Sequence, residues 1–216
     1  MSMTDFHPPP PNGIPANAEE KIKAAASELF TRNGFDAVKT RDIARAAGIN
    51  LALLNYYFRS KKNLYRIIML ENFRVFFSGA FRILNQPGPG IPEKLQAVVA
   101  YYIDEISRQP HIPAFVLNEI RTNPSILNNE LLAGISVMET PFYQELEAYC
   151  EAQKIPYPPV HLLLNVLGMT IFPFLAEPMI RKVFQLDNTA FDRLLQQRKS
   201  LVPHWFQLIT QTEKHA

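Results

Sequence analysis

Apolar residues recur at the 3.6-residue spacing of a helix along nearly the whole chain, and no alternating run lasts long enough to form a strand. In the first such stretch, Ile22, Ala25, Ala26, Leu29 and Phe30 make one stripe. Asn17, with Glu20 three residues later, has the pattern of a capping-box start, and Gly34 that of a helix stop at C′. Residues 35–39 then connect. The expected class is all-α. A second helix is expected over 40–47, a short third over 51–57 with Phe58 closing it, and a fourth over 61–84. The segment 86–92 (QPGPGIP) is a loop, since Gly and Pro at this density exclude regular structure. Beyond it the spacing predicts helices at about 93–108, 112–122, 124–135, 140–153, 159–184 and 189–212. Pro110, Pro113, Pro124, Pro141 and the group Pro156, Pro158 and Pro159 punctuate them, while Pro173 and Pro203 should kink or restart the last two.

Residues 40–57 form the most informative stretch. Thr40 is expected to cap the second helix, with Asp42 favoured at its positive end. Ile43, Ala44 and Ala47 make its inward face, and Gly48 can take the positive φ of a sharp turn. Asn50 caps the third helix, and Ile49 and Leu54 fit a hydrophobic staple. Ser60 caps the fourth. Two short helices joined this tightly have the pattern of a helix-turn-helix, whose second helix can enter a major groove about 12 Å wide, although any αα-hairpin with a glycine turn shares it.

Charge distribution points the same way. The chain carries 22 Lys+Arg against 20 Asp+Glu, a net charge of +2 that says little by itself. Over residues 36–66, however, Lys39, Arg41, Arg45, Arg59, Lys61, Lys62 and Arg66 face only Asp36 and Asp42, a net +5, which leaves −3 for the remainder. A basic cluster centred on a helix-turn-helix is the footprint of phosphate binding. A solvated charged surface is the alternative, but it does not account for coincidence with two capped short helices.

Residues 22–65 as a whole resemble the N-terminal DNA-binding domain of the TetR family of transcriptional regulators. The resemblance lies in Ala25, Ala26, Leu29 and Phe30, the Gly34-Phe35 turn, Thr40, the run Asp42-Ile43-Ala44, and Ala47-Gly48-Ile49. It continues through Tyr56-Tyr57-Phe58 and Ser60-Lys61 to Leu64. It implies a three-helix helix-turn-helix DNA-binding domain over 17–66; residues 1–16, with Pro8 to Pro11 and Asn12-Gly13, are expected to form a disordered arm before it. A larger C-terminal helical ligand-binding and dimerisation domain would occupy 67–216. It further implies a homodimer on a palindromic double-stranded DNA operator, most simply a repressor released by a small-molecule effector, though sequence does not fix the sign of regulation. The recognition helix falls on residues 50–57, and phosphate contacts on Thr40, Tyr56, Tyr57 and Lys61. Arg41 adds positive charge beside them. The chain departs from the family pattern at Leu51, Leu53 and Asn55. Two leucines toward the groove suit thymine methyls, and Asn55 can read adenine or cap locally. A ligand-binding or scaffold protein of the same fold that no longer reads DNA is the rival reading, supported by the same leucines.

The C-terminal part is aromatic, which favours an apolar effector. Polar residues on its apolar helices are candidate ligand contacts: Asn118 and Arg121 following Phe115, the i, i+4 pair His161 and Asn165, and Tyr143. Satisfying helix ends or a dimer interface is the competing role for these groups. Leu162, Val166, Met169, Leu201, Trp205 and Ile209 on the last two helices are candidates for a four-helix dimer interface, against the core of a single protomer.

Other classes fit poorly. One cysteine, Cys150, excludes an internal disulfide framework and fits a reducing, cytoplasmic setting. His7, His111, His161, His204 and His215 have no metal-ligand spacing, and with 8 glycines there is no phosphate loop, so neither enzyme nor cofactor is expected. Residues 1–16 contain four consecutive prolines, and lack the basic and apolar segments of a secretory signal. Residues 155–176 have no charged side chain, but prolines and polar residues interrupt them, so a buried helix is expected rather than a membrane span.

Overall fold

A computed structural model describes residues 17–122 and 136–211. The expected arm over 1–16 and the expected helix over 124–135 lie outside the described residues. The chain divides into two compact units, Met1–Met69 and Leu70–Ala216. Every regular element among the described residues is helical.

In the first unit, α1 (Ala18–Ala37) is interrupted at Gly34, whose φ of 75° leaves the helical region. The expected stop is therefore there, but a further turn follows it up to Ala37. Asn17 stands at the N-cap without a side-chain hydrogen bond, so the expected capping box is not formed. Ile22, Ala26 and Phe30 bury the stripe read from the sequence. The second helix, α2 (Thr40–Ala46), starts at Thr40 rather than being capped by it. Lys39 is the extended residue before the helix, and the Asp42 carboxylate accepts its backbone N–H at 3.3 Å. The second helix thus opens on an acidic side chain two residues inside it, and the Thr40 hydroxyl is not needed.

Gly48 ends α2 at φ 67° in a Schellman arrangement: Gly48 N–H donates to the Arg45 carbonyl at 3.2 Å and Ile49 N–H to Ala44 at 3.0 Å. The third helix, α3 (Leu51–Phe58), begins with the Asn50 side chain accepting Leu53 N–H at 2.7 Å. It runs one residue further than expected, with Leu54 and Phe58 buried. Ser60 accepts Asn63 N–H at 3.1 Å at the start of α4 (Lys61–Leu84).

In the second unit, α5 (Ile91–Arg108) is the central helix, packed by α10 (Asn188–Gln211), α8 (Pro159–Leu175) and α7 (Pro141–Ala152). Its buried stripe Ile91, Leu95, Val98, Val99, Tyr102, Ile103 and Ile106 explains the position. α5 starts two residues before its expected boundary because Pro92 sits in its first turn, where a missing N–H is harmless. Lys94 lies on the same stripe, buried, and forms an ion pair with Glu145 of α7. Gly79 of α4 lets Tyr101 approach, since a Cβ there would stand 2.1 Å from the phenol oxygen.

α6 (Ile112–Thr122) packs on α8, and a 3-10 turn at Val137–Glu139, which the apolar spacing does not predict, precedes α7. The single helix expected over 159–184 is two, α8 and α9 (Glu177–Val183), bent by 74°. Pro173 stays inside α8, and the break falls at Ala176, where Pro178 opens α9 in the position proline tolerates. Pro203 sits inside α10 without ending it. No single described helix is long and apolar enough to cross a membrane, and the bent pair α8–α9 reaches that length and composition only together.

Candidate nucleic-acid interface and effector cavity

The first unit presents a small capped helix on a rigid base. Phe30, Phe35 and Tyr65 form an aromatic cluster, with ring centroids 5.2 Å apart for Phe30–Tyr65 and 4.8 Å for Phe35–Tyr65. Burial raises the Tyr65 phenol above its usual range. Val38, Ile43, Leu54, Phe58 and Leu64 close the core beneath α3. What α3 leaves in water is Ala52 and Asn55, together with Asn50 just before it. Leu51 and Leu53 are half-buried. The side-chain oxygen of Asn50 is already committed to its cap, so Asn55 is the better placed of the two amides to read a base edge. Tyr56 and Tyr57 are half-buried and meet edge to face at 5.4 Å.

The basic side chains separate into two kinds. Lys39, Arg41, Arg45, Arg59 and Lys62 are exposed, and Thr40 half-buried. The Arg45–Asp42 pair, at 4.0 Å between exposed groups, restrains Arg45 little. Lys61 is different. Its ammonium donates to the carbonyls of Phe35 and Val38, both at 2.9 Å, and lies 4.2 Å from the Phe35 ring centroid. These carbonyls follow the break at Gly34, where helix-end acceptors need partners and the last turn of α1 has no basic residue. Expected as a phosphate contact, Lys61 is instead turned inward and fastens the connector between α1 and α2. Sequence spacing puts a lysine at the start of α4 but does not show which way its side chain folds.

In the second unit, a cavity of about 150 Å³ lies between α4, α5, α7 and α8. Phe77 and Phe81 of α4, Val98 and Tyr102 of α5, Phe142 of α7 and Val166 of α8 are among its walls. Asn85 and Thr140 also reach it. The Asn85 amide donates to the Phe81 carbonyl at 2.9 Å and accepts Phe142 N–H at 3.1 Å. The Thr140 hydroxyl donates to Val137 at 2.6 Å and accepts Tyr143 N–H at 3.2 Å. Burial first, and the neighbouring Tyr101 second, push the Tyr102 phenol up to about 12. A second cavity of about 180 Å³ lies beside α6, lined by apolar side chains that include Phe76, Val116 and Ile120. Phe76 stacks on Tyr102 with centroids 4.8 Å apart, so this ring pair stands between the two spaces.

None of the six ligand candidates lines the first cavity. Phe115 packs near Leu70, while Asn118 and Arg121 are exposed on α6. Tyr143 is buried, with its backbone N–H taken by Thr140. His161 and Asn165 do share a face, as their spacing requires, but it is an exposed hollow that Ile209 and Tyr157 also line. Polar residues are favoured from sequence because pockets need a few; here the walls are core-type residues. Tyr102 had a signal, a hydroxyl-bearing residue on an otherwise apolar stripe of α5.

The dimer candidates split. Leu162 and Val166 are buried in the core of the second unit, and Met169 and Trp205 pack against it. Arg198 draws these last two together: its guanidinium donates to the Met169 carbonyl at 3.0 Å and lies 5.5 Å from the Trp205 ring centroid. Burial lowers the pKa of Arg198. Leu201 and Ile209 are exposed, and so are Val160, Leu164 and Leu167 of α8 and Leu208 of α10. Among the described residues no group of three or more His, Cys, Asp or Glu side chains could hold a metal ion. Cys150 is buried and its thiol pKa is raised, by burial first and by Glu147 second.

Residues 22–67 match the profile described as "Bacterial regulatory proteins, tetR family". The chain is similar to the probable HTH-type transcriptional regulator YttP of Bacillus subtilis, 25% identical over 177 residues that span 79% of this chain and 83% of that protein. Its fold is similar to that of a transcriptional regulator of the TetR/AcrR family from Thermobifida fusca, with a TM-score of 0.59 and 20% identity over 87% of this chain and 97% of that one. It is also similar to the fatty acid degradation regulator FadR from Bacillus halodurans, with a TM-score of 0.57 and 18% identity over 94% of this chain and 100% of that one.

Proposed function

This chain belongs to the TetR family of transcriptional regulators, and we propose that it is a homodimeric repressor that leaves a palindromic operator when a small, largely apolar effector binds. The observation that carries the DNA half of this reading is α3 itself: a short helix with a satisfied cap, set on a buried core, with Asn55 in water and Arg41, Arg45, Arg59 and Lys62 exposed around it. Phosphate contacts position such a helix, and base contacts specify the sequence. Arg41, Thr40, Tyr56 and Tyr57 are assigned to phosphates, Asn55 to a base edge, and Leu51 and Leu53 to thymine methyls at the groove wall. Two copies on a palindrome place their recognition helices about 34–36 Å apart.

The effector half rests on the 150 Å³ cavity, an apolar space between four helices with a few polar groups on its wall, which is the form that small-molecule sites take. α4 lines that cavity and also begins at Lys61, so one helix contributes to both units. A ligand shifts the equilibrium only if it binds the DNA-free state more tightly. Dimerisation is assigned to the exposed stripes Val160, Leu164 and Leu167 on α8 and Leu201 and Leu208 on α10, each at i, i+4 or i+7 spacing.

Selection of purified protein against a random duplex pool tests the DNA reading. Enrichment of one two-fold symmetric sequence is expected. Retention of all sequences alike, or of none, would favour a protein of this fold that no longer reads DNA.

A further inference from the structure

Tyr102 sets the chemistry of the cavity. It is 8% exposed and lines the cavity, yet its phenol has no hydrogen-bond partner among the described residues. No described buried side-chain polar atom is both sealed from solvent and unpaired, so the phenol oxygen reaches open space, and the cavity is the space its side chain lines. The other two polar wall residues are held differently. Asn85 and Thr140 are each fixed to backbone groups on two sides. Among the described residues no Lys, Arg, His, Asp or Glu lines the space. Lys94, the nearest cation in sequence to the cavity residue Leu95, is turned to Glu145 instead.

From this arrangement we propose that the effector is a compact, uncharged, mostly apolar molecule with one hydrogen-bond acceptor such as a ketone, ester or ether oxygen, and that Tyr102 donates to that oxygen. The proposal rests on the reading of this cavity as the effector site. A carboxylate or ammonium would lose its hydration here and gain no opposite charge in return. A pure hydrocarbon would fit the walls but leave the phenol unpaired. The phenol stays protonated, and so remains a donor, throughout the neutral range. Size follows from the volume, since an apolar cavity of about 150 Å³ admits a benzene-sized ring. The stacked Phe76 and Tyr102 rings close the side toward the second cavity.

Three probes with the same number of non-hydrogen atoms isolate the acceptor and the charge: acetophenone, α-methylstyrene and benzoate. Binding to the full chain is measured by calorimetry for the natural protein, Tyr102→Phe and Ala80→Leu. Tyr102→Phe keeps the ring and removes only the donor; Ala80→Leu fills the cavity wall. Tyr102→Phe is expected to lower the acetophenone to α-methylstyrene affinity ratio about five- to tenfold. Benzoate is expected to bind the natural protein at least about a hundredfold more weakly than acetophenone. Ala80→Leu should abolish binding of both neutral probes. An unchanged ratio in Tyr102→Phe, or benzoate binding as tightly as acetophenone, would overturn the assignment to Tyr102 while leaving the cavity as the site. Absence of binding by both neutral probes to the natural protein, or their undiminished binding to Ala80→Leu, would overturn the cavity reading as well.

Discussion

Lys61→Met separates a structural lysine from one that binds phosphate. Methionine keeps most of the apolar stem and removes the ammonium. That ammonium makes two charge-assisted hydrogen bonds, to Phe35 and Val38, and sits over the Phe35 ring. Hydrogen bonds to a charged group contribute about 1.5–3 kcal/mol each, and an exposed cation–π pair about 0.5–1. Lys61 is only half-buried, so water compensates in part, and about 2–3 kcal/mol is the expected destabilisation of the first unit. The placement also explains a cation at the first residue of α4, where the helix dipole disfavours one: the two carbonyls supply the compensating negative ends.

Two measurements follow on the same variant. Urea unfolding, with hydrogen exchange read over residues 35–43, should show the destabilisation localised to the α1–α2 connector. Operator binding by the remaining folded protein should keep its salt dependence. A lysine on a phosphate would give the opposite pattern, with stability within about 0.5 kcal/mol of the natural protein. The slope of log K against log salt would then shrink by about 0.9 for each phosphate no longer neutralised. That pattern would refute the inward assignment.

Glu145→Gln strands the buried Lys94 ammonium and is expected to lower the urea-derived stability by about 3 kcal/mol; adding Lys94→Met should restore most of it. Replacing Leu164 and Leu208 with glutamate leaves the protomer core untouched, since both are exposed, and should turn a dimer into a monomer by sedimentation at micromolar concentration. Asn50→Ala should cost about 1 kcal/mol of stability through removal of its cap, whereas Asn55→Ala should leave stability unchanged and reduce discrimination between operator and random DNA in a competition gel shift. The Tyr102 phenol is raised from 10.0 to about 12, so the stability tied to its neutral form is complete below pH 10 and is lost as pH rises toward 12. Urea melts at pH 9 and 11 should differ by about 1.3 kcal/mol, half of the roughly 2.7 lost in full above pH 12, and Tyr102→Phe should remove this contribution.

Local signals were legible in the sequence and side-chain directions were not. Gly48 and Asn50 could be read because the φ of a turn and the acceptor of a cap are properties of one residue and its nearest neighbours. Thr40 was misplaced by one position because Lys39 and Asp42 provide an equivalent start without its hydroxyl. On α8 both faces are apolar, so periodicity shows surplus hydrophobic surface but not which face the protomer uses. Leu162 and Val166 go inward, and Val160 and Leu164 outward, on one helix whose composition gives no contrast between them. Lys94 and Tyr102 carry polar tips on the buried stripe of α5, but neither is among the candidates drawn from the sequence. What each faces, a carboxylate of α7 for one and the cavity for the other, is a fact of packing.

The size of the cavity limits how the proposed switch can work. Moving a protein from about 1:99 to 99:1 between two states takes about 5.5 kcal/mol of differential ligand affinity. Very small ligands reach at most about 1.5 kcal/mol per non-hydrogen atom, and larger ones fall toward about 0.3. For about nine non-hydrogen atoms these bounds run from about 14 down to about 3 kcal/mol, so an effector of ordinary efficiency has little affinity in excess of what the shift requires. It can release the operator only if the DNA-bound state offers it almost nothing, which means that the space between Phe77, Val98, Tyr102 and Phe142 must be collapsed in that state. The aromatic side chains that line it have the bulk to do this by changing rotamer. A filled variant such as Ala80→Leu then serves as a mimic of one state or the other. If collapse belongs to the DNA-bound state, the leucine should hold the cavity shut yet leave operator affinity intact and insensitive to effector. If filling drives release, the same substitution should weaken operator binding with no effector present.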